Sequence, residues 1–101
     1  MIDKIASEWE LLGYSCDVWK DVPGQRWENF THDSDELFML IKGKIELEIE
    51  GKSCQPLQNQ VVHIPANTMH SVRNIGKTEA HWLYGYKLPN VNEHDIKNFN
   101  Q

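Results

Sequence analysis

Between Lys44 and Glu50, Ile45, Leu47 and Ile49 alternate without a break with Glu46, Glu48 and Glu50. A strict two-residue period places the apolar side chains on one face of an extended chain and the carboxylates on the other. The segment therefore reads as a strand of an antiparallel sheet with one buried and one wet face. Just before it, Leu37-Phe38-Met39-Leu40-Ile41 is apolar at every position. Such a strand needs cover on both sides: a barrel interior on one, and a neighbouring sheet or a second subunit on the other. From about Ser15 onward the chain is punctuated by turn signals at Pro23-Gly24, Gly43, Glu50-Gly51, Pro65-Ala66-Asn67 and Gly76-Lys77. Short strands at this spacing predict an antiparallel sandwich or barrel. Near the end, Ala80, Trp82, Tyr84 and Tyr86 share one strand face, and Glu79, His81, Leu83 and Lys87 the other.

The two ends differ from this pattern. Ile2, Ile5, Trp9 and Leu12 recur at helical spacing before Gly13, which predicts a short amphipathic helical segment over residues 1–14. The barrel is expected over 15–88, and 89–101 form a polar, Asn-rich tail with at most one loose helical turn. With 101 residues, 40% of them hydrophobic, the chain supports one core. A domain this small buries a limited share of its surface, so a homodimer is expected, with residues 37–49 and the N-terminal segment at the interface. Lys plus Arg number 10 against 15 Asp plus Glu, a net charge of −5. No basic field exists to draw nucleic acid or anionic membrane as a partner. Charges at Asp3 and Lys4 interrupt any secretory signal, and no apolar run suffices for a membrane helix, so a soluble cytoplasmic protein is expected. Cys16 and Cys54 lack metal or redox spacing and read as reduced thiols in half-buried strands.

Chemistry is sought first among the five histidines, because imidazole and carboxylate together bind first-row transition metals. Two stretches concentrate such residues: Gly24, Phe30, His32, Glu36 and Gly43, then Asn59, Pro65, Asn67, His70 and Asn74. With these spacings the chain resembles the cupin superfamily, whose motifs are G-x5-H-x-H-x3-4-E-x6-G and G-x5-P-x-G-x2-H-x3-N. Phe30 stands where the first motif has its first histidine, and Asn59 and Asn67 replace the two glycines of the second. Asn is the usual substitute where a turn requires positive φ.

The resemblance covers about residues 15–88 and implies an all-β fold, a small jelly-roll barrel preceded by the short helix. It implies a divalent transition metal (Fe, Zn, Ni, Mn or Co) on His32, Glu36 and His70, and a small polar metabolite at the open coordination positions. The chemistry would be that of a metal-dependent isomerase or dioxygenase. The alternative is a metal-free, degenerate cupin serving as a small-ligand-binding or regulatory module, because Phe30 either fills the vacated coordination position or walls off one side of the pocket. Pocket candidates are Trp27, Phe30, Asn74, Trp82 and Tyr84, and Tyr84, Tyr86 or His81 would act as acid or base if they face inward. No catalytic residue is assigned. Arg26 and Arg73 either clamp a ligand anion or lie at the surface, and His63, His81 and His94 read as hydrogen-bonded structural or surface residues.

Overall fold

A computed structural model describes residues 1–89; the polar tail beyond them, with His94, lies outside the described residues. The element order is α1 (Ile2–Leu11), β1 (Asp17–Asp21), β2 (Arg26–Phe30), β3 (Glu36–Lys42), β4 (Ile45–Ile49), β5 (Lys52–Cys54), β6 (Val61–Ile64), β7 (His70–Asn74) and β8 (Ala80–Tyr86). The strands form two four-stranded antiparallel sheets, β1-β8-β3-β6 and β2-β7-β4-β5, packed face to face as a small jelly roll. Phe38, Leu40, Ile45, Leu47, Ile64, Val72, Ala80 and Trp82 fill the space between them. Among the described residues, no helix is long and apolar enough to cross a membrane.

The doubly apolar strand β3 receives both its covers within the chain. Phe38 and Leu40 face the barrel interior, whereas Leu37 and Met39 join Leu83 on the outer face beneath Trp9 of α1. The outer cover that the sequence reading left to a sheet or a subunit is thus the N-terminal helix. Its amphipathic face is narrower than the spacing predicts: Ile5 and Trp9 pack, while Ile2 and Leu12 stay 39% and 60% exposed. The helix ends at Leu11, and Gly13, at φ +87°, turns the chain back so that Leu12 faces away from the sheet. Cys16 is half-buried beside this outer cluster, but Cys54 is exposed on β5, contrary to the expectation for that thiol.

On the outer face of the other sheet, a single guanidinium organises the carboxylates. Arg73 donates to Glu28 through Nε (2.8 Å) and Nη2 (2.9 Å), and to Glu46 through Nη1 (2.8 Å). Its Nη2 also lies 2.9 Å from Glu48. Arg73 is therefore committed to intramolecular pairing, while Arg26 is a surface residue paired with Glu28 at 2.8 Å. The hydrogen bonds from Arg73 hold the Glu28 carboxyl at about 2, against an ordinary 4.5. A depressed carboxylate adds stability that is complete above pH 4.5 and is lost as the pH falls through about 2. The urea midpoint is expected to fall across that window more steeply in the natural chain than in Arg73→Met, and equal slopes would contradict this assignment.

Candidate metal centre

Local backbone geometry brings the cupin-like residues together. In a regular strand Trp27 and Phe30, three apart, would face opposite ways. The register of β2 against β7 shifts between them, with Asn29 at φ +52°, and both side chains turn into the barrel. The Asn29 N–H donates to Ser71 Oγ at 2.8 Å, which fixes this bulge. Phe30 then lies opposite His70, the first residue of β7. Glu36 begins β3, and the N–H of Asn67 donates to the His32 carbonyl at 2.8 Å, tying the two motif loops together. Asn59 and Asn67 adopt φ of +66° and +60°, the conformation that makes Asn a workable replacement for glycine.

His32, Glu36 and His70 converge, with one ligand atom from each lying within 4.8 Å of the others. His32 Nε2 is 2.8 Å and His70 Nε2 is 3.5 Å from Glu36 Oε1. The other ring nitrogens face backbone carbonyls: His32 Nδ1 to Ser34 at 3.0 Å and His70 Nδ1 to Thr68 at 2.8 Å. A carbonyl only accepts, so both Nδ1 atoms carry hydrogen, and in the neutral rings both Nε2 lone pairs aim at a carboxylate oxygen. Facing acceptors at this distance repel one another unless a cation, proton or metal, stands between them. His70 Nε2 is buried and has no hydrogen-bond partner among the described residues. Burial disfavours protonated His70, but the adjacent Glu36 carboxylate and the Thr68 carbonyl outweigh it and raise its pKa above 6.5. Two imidazoles and one carboxylate with a shared focus fit a divalent transition metal.

The remaining titratable candidates are directed elsewhere. Asp35 accepts from the Ala66 N–H at 2.8 Å and pairs with His63 at 3.4 Å. That backbone bond, helped by His63, lowers the Asp35 carboxyl below its ordinary value. His63, opposite Leu37 in the ladder, lies on the outer face, away from the triad. His81 faces out as well, 2.6 Å from Glu79, so it supplies no acid or base to the site. Asn74 must be corrected from pocket residue to structural brace. Buried, it donates to the carbonyls of Asp21 (3.2 Å) and Thr78 (3.1 Å) and accepts from the Gly76 N–H (3.0 Å).

Beside the triad opens a cavity of about 230 Å³, which Glu36 lines. Phe30 and Tyr86 stand at this end, and Phe38, Val72, Trp82 and Tyr84 form the further walls. Phe30 stacks on His70 with ring centroids 4.3 Å apart, and Tyr86 meets His32 edge to face at 4.7 Å. Burial, together with the Glu36 charge, pushes the Tyr86 phenol above its ordinary pKa, so it remains a donor near neutrality. Trp19 and Trp27, 38% and 40% exposed, flank the opening. Both indoles donate to the buried Asp21 carboxylate, at 3.0 Å and 2.6 Å. Sequence reasoning missed Trp19 and Asp21. Both lie on the inward parity of β1, but the run Asp17-Val18-Trp19-Lys20-Asp21 has no polar and apolar alternation to reveal it.

A cupin-domain family model matches residues 18–86. The curated protein polyketide synthase CurC of Streptomyces cyaneus is 29% identical over 63 residues, 61% of this chain and 41% of that protein. The chain thus spans about two fifths of that relative's length. A solved oxalate oxidase superposes with a TM-score of 0.68 and 27% identity, covering 76% of this chain and 43% of that one. The cupin domain of an XRE family transcriptional regulator from Enterobacter cloacae gives a TM-score of 0.69 at 23% identity, covering 80% and 87%. Family match, jelly roll and converging motif residues agree, and the chain belongs to the cupin family.

Proposed function

We propose that this cupin holds one divalent transition metal on His32, Glu36 and His70 and binds a small molecule in the adjoining cavity. The observation that carries the reading is the buried, unpartnered His70 Nε2, aimed with His32 Nε2 at a single carboxylate oxygen. A bound ion would supply Lewis-acid polarisation of a substrate oxygen, or dioxygen chemistry if it is iron, as an isomerase or dioxygenase requires. The chain's own part is to orient. The Ser34 and Thr68 carbonyls fix both imidazole tautomers, and Tyr86 offers a hydroxyl donor beside Glu36. Likeness to an oxalate oxidase and to a polyketide synthase supports small-molecule chemistry.

A second reading is a metal-free ligand-binding module. It is favoured by Phe30 packed on His70 at the position of the missing motif histidine, and by the likeness to a regulator's cupin domain. Element-resolved analysis of protein purified without chelators separates the two. About one divalent metal per chain is expected. A metal-free natural chain that becomes loaded only as Phe30→His would overturn the proposal in favour of the module.

A further inference from the structure

The cavity's lining points to a narrower ligand class than a small polar metabolite. Seven of its nine lining residues are aromatic, the others being Val72 and Glu36. The two indoles at the opening have spent their N–H groups on Asp21, so they present ring surface without a donor. The polar groups of the lining are Glu36 and the hydroxyls of Tyr84 and Tyr86, with the Trp82 indole N–H, so a molecule rich in hydroxyls would leave water and find most of the wall to be ring surface, with unpaired groups costing it affinity. A flat apolar ring instead gains edge and face contacts with Trp19, Trp27, Trp82 and Phe38. Size narrows the choice further. An apolar cavity of about 150 Å³ accepts benzene, so about 230 Å³ holds one ring with small substituents.

We infer that the cavity selects a single aromatic ring bearing one acidic oxygen, a phenolate or aryl carboxylate, with the ring among the tryptophans and the oxygen toward His32, Glu36 and His70. The ring half follows from the lining alone, whereas the oxygen half rests on the proposed metal. A divalent ion with one carboxylate and two neutral imidazoles leaves a net positive end that an anionic oxygen neutralises. Asp21 is then a positioning residue that holds Trp19 and Trp27 at the opening.

Binding of benzoate, acetate, benzene and benzyltrimethylammonium to the full chain, followed by tryptophan fluorescence and calorimetry with and without metal, tests this. Benzoate is expected to bind metal-loaded protein at least tenfold more tightly than acetate, and to weaken at least tenfold when metal is removed. Benzene should change less than threefold on that removal. Trp19→Ala should weaken benzoate and benzene at least threefold with metal content intact, and Asp21→Asn should weaken both in the same direction. Equal affinity for benzoate and acetate, or preference for the ammonium probe, would overturn the ring assignment. Benzoate binding that ignores bound metal would overturn the oxygen's placement. If elemental analysis finds no metal, the metal proposal and the oxygen half fail together, while benzene and Trp19→Ala still decide the ring half.

Discussion

His70→Ala is expected to weaken metal binding by about 100-fold or more, since losing an outer-shell partner alone typically costs 10–100-fold and His70 would be a direct ligand. Its effect on the metal-free fold should be much smaller, because the terms oppose one another. Deleting the ring leaves a cavity beside Phe30 and removes the attraction of protonated His70 to Glu36, but it also removes a buried nitrogen whose hydrogen bond is unmade in the neutral ring, a cost of about 1–3 kcal/mol. The variant should therefore be folded and metal-poor. Thermal denaturation supplies an independent readout. At a free-ion concentration about 1,000 times the natural Kd, binding stabilises the natural chain by about 4 kcal/mol, and a site about 100-fold weaker in His70→Ala should cut that increment by about two thirds, to roughly 1.4 kcal/mol. Metal affinity within threefold of the natural chain would remove His70 from the ligand set.

Gly85→Ala is expected to be the most destabilising of the Gly→Ala changes in the chain. The carbonyl of Ser15 occupies the space a Cβ at position 85 would need, and Trp9 Cε3 lies 3.0 Å from that point. Neither neighbour has an easy escape. Ser15 is held by its N–H to the Tyr86 carbonyl at 3.0 Å and by its hydroxyl, which accepts from the Tyr86 N–H at 2.9 Å. Trp9 is wedged between α1 and the outer face of β3 and β8. Overpacking against fixed backbone should cost about 3 kcal/mol, a fall in Tm of roughly 12–24 °C for a domain of this size. Gly24→Ala is the control: its φ is +84°, but nothing lies within 4 Å of the added methyl among the described residues. Backbone strain alone should cost it about 1 kcal/mol. Calorimetry that ranks the two variants equally would show that the contact between the segment after α1 and β8 is not tight.

Alternation at Lys44–Glu50 and the unbroken apolar run at Leu37–Ile41 were sufficient for an all-β domain, because the two-residue period of a strand is set by local chain geometry. Motif spacing was sufficient to single out His32, Glu36 and His70 and to expect positive φ at Asn59 and Asn67, where it is found. What the histidines could not disclose in sequence is which nitrogen is free. That depends on the Ser34 and Thr68 carbonyls, positioned by loops whose paths are settled only when β3 and β7 face each other.

The rest needed tertiary structure for one reason: a strand's pattern says which residues share a face, but not what lies opposite that face. Arg73 was an unassigned cation until β2 and β4 set three glutamates around it. Asn74 fitted a pocket on parity alone, and its amide is instead consumed by backbone at the barrel's edge. The bulge at Asn29 breaks the period that would have sent Trp27 and Phe30 to opposite sides. Asp21 gathers two indoles that are two and six residues away in sequence, and thereby makes the opening of the cavity aromatic. The sequence by itself determined the regularly patterned strands and marked His32, Glu36 and His70 as residues to converge, because both depend on short, regular spacings. Only the packing of one sheet against the other decided the cavity's chemistry, because its walls come from β1, β2, β3, β7 and β8 together.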